Sequence, residues 1–484
     1  MPSQKIAAST LWQFASQITM AALSIVTVKL VAIGLSIELA GNYNTVYGYL
    51  QIFGILADFG LYAVSVREVA RAGDRRAVLG NLMTLRAMIL AISLGSALMI
   101  AWMIPAWRGT PLPAGITVAA FVPAFTLLAG ILRTIFQVEY RLHFVFVAEV
   151  TQRVVTVSLT ALAVWMGIRD SADVRSLYLL LGFGGAGALV LLLLSIAFSR
   201  KILKVRPRWD PATIRRLLRL SAPYGAAFLC TALYRQFDVT LIGLLRPMDY
   251  EMQNAYYGFT QRIMDMAYLL PTFLLNSTLP ILSEKDARSD DTRELLGKIL
   301  LAILLVGSVS FLFAMFWPRP LMQMLTTDQY LSTSLSPGAD TALRLLSVSM
   351  FMNGFLTFSF YVLLAKNLWR PLVSVLAFGV VFSLAGNVLL IPRFGFVGAS
   401  VTSIIVHTAL AVLLLPPALR AMPARFTKSF AARWIVFSVL LLVFVLAART
   451  VLATPVITAG MLIVSSAWIV ACAWATGIYK ILRI

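Results

Sequence analysis

The chain reads as a series of long apolar runs separated by short polar stretches. Most runs are about 20 residues or longer, enough for a helix rising 1.5 Å per residue to cross the roughly 30 Å hydrocarbon core of a bilayer. They predict about 14 transmembrane helices, among them roughly 44–66, 220–245, 254–280, 371–391 and 395–418. The expected fold class is an all-α polytopic membrane protein. No polar interval is long enough to hold a folded soluble domain, so no attached enzyme is expected.

Composition agrees with the pattern. Of 484 residues, 60% are hydrophobic and 12% charged, about half the charge of a soluble domain. Mean hydropathy is +0.88. The formal charge of +20 would suggest nucleic acid in a soluble protein, but here the excess lies in short loops, where it reports topology and anionic lipid. Most of the 40 Lys and Arg residues fall in every second loop. An even number of spans then places both termini on the basic, cytoplasmic side. No nucleic-acid partner is expected.

The longest basic segment runs Arg200-Lys201-Ile202-Leu203-Lys204-Val205-Arg206-Pro207-Arg208, followed by Arg215, Arg216 and Arg219. It divides the first twelve spans into two sets of six. Tyr47-Gly48-Tyr49-Leu50-Gln51 opens span two, and the similar Tyr257-Gly258-Phe259-Thr260-Gln261 opens span eight. Six spans apart is an even number, so the repeat is parallel, and transporters built this way hold substrate near the bilayer midplane between two lobes. The expected domains are an N-lobe over residues 1–205, a C-lobe over 206–425 and a C-terminal helix pair over 426–484.

Catalytic chemistry is not visible. There is no GxxxxGK[ST] phosphate loop, and the only histidines are His143 and His407. His407 reads as a packing residue. Cys230 and Cys472 lie in apolar runs and suggest neither a disulfide nor a metal site. No cofactor is expected. The informative residues are charges inside spans, because an ionised side chain near the bilayer centre costs about 2.5–3.5 kcal/mol on insertion scales and seldom faces lipid. Arg235 precedes Asp238 by three residues, and Arg262 precedes Asp265 by three, so on continuous helices each pair shares a face. One reading is mutual neutralisation that permits helix packing. The other is that the acids position guanidinium forks for a phosphate, whose oxygens match Arg bidentately. Lys29 and Arg344 fall on the outward side of the midplane and extend a candidate substrate-binding set of Arg235, Arg262, Lys29 and Arg344, with Asp238, Asp265 and Asp58 supporting or coupling. Asp58 has no charged residue within one helical turn of it, whereas Glu149 and Arg153 are four apart and able to pair.

These residues resemble a known family. Arg235-x-x-Asp238-x-x-Leu241-Ile242-Gly243 followed by Tyr257, Arg262 and Ile263 resembles spans seven and eight of bacterial polysaccharide-transport proteins. Asp58-Phe59-Gly60-Leu61 with Val66-Arg67-Glu68 resembles the end of their second span. Gly386-Asn387-Val388-Leu389-Leu390-Ile391-Pro392-Arg393-Phe394-Gly395-Phe396-Val397-Gly398-Ala399-Ser400 looks like the signature joining their spans eleven and twelve. In that stretch Pro392 is expected to end one helix, Gly395 to permit the turn, and Gly398-Ala399 to let the next helix pack closely. The family belongs to the multidrug/oligosaccharidyl-lipid/polysaccharide exporter superfamily. The resemblance implies two six-helix lobes and flipping of an undecaprenyl-pyrophosphate-linked oligosaccharide across the bacterial inner membrane for O-antigen or exopolysaccharide synthesis. It also implies membrane lipids and the polysaccharide polymerase machinery as partners. Two related readings stay open: a lipid II flippase, whose arginine-rich first span is not seen here, and a cation-coupled multidrug exporter, which commonly carries an acid in a first helix that here holds none. A receptor or scaffold would not need paired buried charges on adjacent helices.

Overall fold

The structure is a computed structural model that describes residues 2–139, 141–202, 205–287, 291–452 and 454–482. Leu203 and Lys204 of the basic segment lie outside the described residues. Among the described residues the regular structure is helical, apart from an isolated bridge between Leu35 and Ser171. The chain forms two compact units, Met1–Ala255 and Tyr256–Ile484.

The first unit contains α1 (Pro2–Gly34), α2 (Ile37–Asp58), α3 (Leu61–Arg71), α4 (Arg75–Met103), α5 (Leu112–Ala119), α6 (Phe121–Val138), α7 (Leu142–Trp165), α8 (Val174–Arg200), α9 (Pro211–Gln236), α10 (Asp238–Leu245) and the start of α11 (Tyr250–Ala287). α1 packs along α7, and α8 lies against both α6 and α7. The polar positions of α3 explain its place at the end of the bundle. Leu61, Val64, Ser65 and Val69 recur on one face and are buried, while Tyr62, Arg67 and Arg71 are exposed, the three-to-four spacing of an amphipathic helix. Its buried face joins a core with Leu82 and Leu85 of α4, Phe136 of α6, and Ile214 and Leu217 of α9.

The second unit continues α11 and adds α12 (Arg293–Phe316), α13 (Pro318–Leu325), α14 (Ala339–Ala365), α15 (Trp369–Phe394), α16 (Phe396–Ala421), α17 (Lys428–Ala448), α18 (Pro455–Ala475) and α19 (Ile478–Leu482). α14 packs against α16 and α12. The C-terminal helices are fastened to α12 through a cluster that includes Leu301, Leu305, Phe437 and Leu441. Two indoles anchor this contact. Trp434 Nε1 donates to Ser308 Oγ at 2.9 Å, and Trp317 Nε1 donates to the Val445 carbonyl at 2.8 Å.

Among the described residues eleven segments are long and apolar enough to cross a membrane, or up to twelve if the bent pair α9–α10 is one span. This is a multi-pass membrane protein. The expected count of about 14 is therefore slightly high by that measure; the other two expected spans fall on α2 and α11, which lie outside it. Boundaries move at span two. The expected run of roughly 44–66 is split, because α2 begins at Ile37 and ends at Asp58, where Phe59 and Gly60 adopt left-handed φ values of 44° and 69°. α3 follows as a separate helix.

The two similar pentapeptides occupy matching positions. Tyr49 of α2 is buried edge-on against Trp107, with ring centroids 5.2 Å apart at 81°. Phe259 of α11 is buried edge-on against Tyr330, 5.3 Å apart at 76°. Trp107 and Tyr330 each end a 3-10 turn, Pro105–Trp107 and Asp328–Tyr330, after the next span in their unit. The same edge-to-face contact recurring in each unit is what a parallel repeat predicts.

At the α15–α16 hairpin one expectation is corrected. Pro392 does not end its helix, which continues through it to Phe394. Gly395 makes the turn at φ 57°, because a residue with no Cβ adopts positive φ without strain. Gly398 sits where the helices approach closely: a Cβ there would meet the Leu390 carbonyl oxygen at 2.5 Å. Gly398→Leu is expected to force α15 and α16 apart and destabilise the protein by about 1–3 kcal/mol or more. Reduced abundance of folded protein in detergent checks this, and normal abundance with normal transport would refute the close contact.

Candidate functional site

Span seven is broken. α9 and α10 meet at Phe237 with a bend of 51°, and the sequence Arg235-Gln236-Phe237-Asp238 lies across the bend. Arg235 sits in the last turn of α9 and Asp238 in the first turn of α10. A helix C-terminus carries partial negative charge and an N-terminus partial positive charge. Each side chain is thus placed at the half-helix end that favours its sign. The expectation of one continuous helix with both groups on one face is corrected here: the three-residue spacing straddles a break. Asp238 and Gln236 are buried, and Arg235 is half-buried.

α2 supplies the seat for the broken span. Gly41, Asn44, Thr45 and Gly48 share one face at three-to-four spacing. A Cβ on Gly48 would stand 3.0 Å from the Val239 side chain, and one on Gly41 would overlap the Glu251 carbonyl. The carbonyls of α10 are held from outside the helix. Asn254 Nδ2 donates to Val239 O at 2.9 Å and to Thr45 Oγ1 at 2.8 Å, and Trp107 Nε1 donates to Gly243 O at 3.1 Å. Asn44 Nδ2 donates to Asn254 O at 3.1 Å, while Asn42 Nδ2 donates to Glu251 Oε1 at 2.9 Å. These side-chain donors fasten α10 to α2 and to the start of α11. The turn after α10 is closed by Arg246, whose Nε and Nη2 donate to the two Asp249 oxygens at 2.8 and 2.5 Å. That hydrogen bonding holds the Asp249 carboxyl below the usual carboxylate range.

The other expected residues are distributed over both units. Lys29 is half-buried on α1 in the first unit. Arg262 and Asp265 are half-buried on α11 in the second unit; α11 is continuous through them, so this pair does keep a common face. Arg344 is exposed near the start of α14, with Nε donating to Met315 O at 3.3 Å. His407 is buried, with Nδ1 2.8 Å from the Ser403 carbonyl.

Asp58 is paired through tertiary structure. Its carboxylate forms an ion pair with Arg86 of α4, whose side chain is only 5% exposed. A small cavity lined by Ser65, Arg86 and Thr134 lies beside that pair, and Ser65 and Thr134 hydroxyls are 3.2 Å apart. Glu149 accepts from Arg133 Nη1 at 2.6 Å and from Ser16 Oγ at 2.7 Å. Arg133 also lies 5.9 Å from the centre of the Tyr62 ring. Arg86 lies 28 positions from Asp58, a separation at which helical spacing says nothing, so this pairing is not legible in the sequence. The Gly41–Gly48 face did leave a signal, small and amide residues at positions i, i+3, i+4 and i+7.

Comparison with known proteins places this geometry. Residues 6–285 match the family model described as polysaccharide biosynthesis protein. No curated protein matches the sequence. Among solved structures, the fold is similar to a lipid II flippase, MurJ, in an inward closed conformation, with a TM-score of 0.69 at 12% identity over 96% of this chain and 98% of that one. It is similar to an inward-facing multidrug resistance MATE family transporter of the MOP superfamily, with a TM-score of 0.62 at 12% identity over 85% of this chain and 98% of that one. It is also similar to the MATE multidrug transporter DinF-BH, with a TM-score of 0.60 at 16% identity over 87% of this chain and 97% of that one.

Proposed function

The chain belongs to the polysaccharide biosynthesis protein family, and from that premise we propose that it is a flippase for an undecaprenyl-pyrophosphate-linked oligosaccharide. It moves this lipid from the inner to the outer leaflet of the bacterial plasma membrane, with both termini cytoplasmic, for surface polysaccharide synthesis. The observation that carries the proposal is the break in span seven with Arg235 and Asp238 on its two ends. In transporters, discontinuous spans at membrane depth mark substrate and ion sites, because half-helix ends present charge and unsatisfied backbone to the cargo. Arg235 is one of the two proposed phosphate-binding arginines, and its planar donors suit a pyrophosphate. Arg262 is the second, with Asp265 on its own helix face; Lys29 and Arg344 complete the proposed substrate-binding set, and Asp238 supports the break.

Cationic side chains with alternating access suit cargo that carries a pyrophosphate and a glycan. The pyrophosphate gains charge-assisted hydrogen bonds, while the polyprenyl chain stays in lipid. Asp58 supports the frame through Arg86. The test is deletion of the gene followed by mass spectrometry of lipid-linked glycans in right-side-out and inverted vesicles. The expected result is an undecaprenyl-pyrophosphate oligosaccharide accumulating on the inner leaflet, with loss of surface glycan. Accumulation of lipid II would assign the chain to peptidoglycan precursor flipping. Unchanged lipid-linked glycans with increased drug sensitivity would assign it to multidrug export.

A further inference from the structure

We infer that the end of the first unit where α3, α4 and α9 meet is a docking surface for anionic phospholipid headgroups. The surface does not depend on the transport reading. Its floor is a segment fixed by the fold. Arg208 N donates to Gly80 O at 3.2 Å, and Asp210 N donates to Asn81 Oδ1 at 2.7 Å. Gly80 leaves no room for a side chain, since a Cβ there would meet the Arg206 carbonyl at 2.5 Å. The segment 206–210 is therefore laid on the first turns of α4, not strung loosely between spans.

On this floor stand Arg71, Arg206, Arg208, Arg215, Arg216 and Arg219, all exposed. Three acids sit among them: Arg216 Nη2 reaches Glu68 at 2.9 Å, Arg208 Nη1 reaches Asp74 at 3.3 Å, and Asp210 caps the start of α9 by accepting from the Ala212 and Thr213 amides, which leaves six arginines against three acids. The remaining charge is a net positive face. Trp209 stands in its middle and is 58% exposed, although an indole buried in protein or lipid headgroup is favoured over one in water. The depth is right for headgroups. α4 and α8 both cross the membrane, and their ends at Arg75 and Arg200 mark where apolar chain gives way. Interfacial Trp beside clustered Arg at span ends is the composition that an anionic leaflet attracts. Such attraction acts within a Debye length of about 8 Å at physiological salt.

The test uses the full chain. Native mass spectrometry measures retention of phosphatidylglycerol against phosphatidylcholine for wild type, for Arg206→Gln/Arg215→Gln/Arg219→Gln, and for the same three positions changed to Lys. Each basic residue at an anionic surface contributes about a factor of five, so the Gln variant should lose at least about tenfold of its phosphatidylglycerol preference. The Lys variant should keep it, because the attraction is to charge. Equal preference in wild type and Gln variant, or loss in the Lys variant as well, would overturn the inference. A second measurement needs no folded Gln variant. Vesicles with brominated phosphatidylglycerol should quench the part of the emission that Trp209→Phe removes more strongly than vesicles with brominated phosphatidylcholine. Equal quenching by the two lipids would likewise overturn it.

Discussion

Arg235→Gln/Asp238→Asn should give a protein that folds and accumulates like wild type and does not restore surface glycan to a deletion strain. The expectation follows from where the two groups stand. If Arg235 served only to neutralise a carboxylate, removing both charges together would restore packing and activity, whereas removing Arg235 alone would leave Asp238 buried as an uncompensated charge at a cost of about 3–5 kcal/mol. Asp238 instead sits in the first turn of α10 and is buried there, where the helix N-terminus itself favours a carboxylate. Arg235→Gln alone is therefore expected to leave abundance nearly unchanged. On the proposed function, what is lost is a bidentate pair of charge-assisted hydrogen bonds to phosphate, each about 1.5–3 kcal/mol. A fall in transport of about a hundredfold or more follows from that loss. Arg235→Lys should retain part of the activity, since a point charge keeps attraction without the fork. Arg262→Gln is expected to behave like Arg235→Gln. The decisive reading is glycan on the surface at matched protein levels. Full rescue by the double variant would remove Arg235 from the substrate path.

The same cycle at Asp58 and Arg86 should end differently. Arg86 is almost fully enclosed, and the carboxylate of Asp58 forms an ion pair with it. Asp58→Asn strands a buried guanidinium and should destabilise the protein by about 3–5 kcal/mol, whereas Asp58→Asn/Arg86→Met should return to within about 1 kcal/mol of wild type or exceed it. Transport should return with stability, because this pair holds the end of α2 to α4. Thermal midpoints in detergent and glycan rescue measure the two quantities separately. A double variant that is stable yet inactive would show instead that Asp58 couples directly to transport.

Side by side, the two pairs show why charge inside a span is not one kind of evidence. Arg235 and Asp238 lie at the ends of two helix segments, one of them half-buried. Asp58 and Arg86 sit within the packing of one unit, next to the core formed by α3, α4, α6, α7 and α9. The second arrangement is consumed by the fold; the first is the one the proposed function assigns to the cargo.

Sequence by itself determined the membrane class, the helical architecture and the parallel repeat. These follow from local chemistry: a backbone in lipid must satisfy its own hydrogen bonds, so long apolar runs become helices wherever they occur. The same holds for the turn at Gly395 and for the close approach at Gly398, which small residues in a hairpin announce. Tertiary structure alone decided four things. It bent span seven at Phe237, a position with no proline or glycine, and seated the half-helix beyond the bend through the Asn254 side-chain amide and the Trp107 indole N–H, which donate to the carbonyls of Val239 and Gly243. It ended α2 at Asp58 and turned α3 aside, because the buried face of α3 belongs to a core drawn from four other segments. It joined Asp58 to Arg86 and laid the 206–210 segment on α4. Each is a contact between residues far apart in the chain, and helical periodicity carries information only over a few turns. Which faces meet is settled by the packing of whole helices.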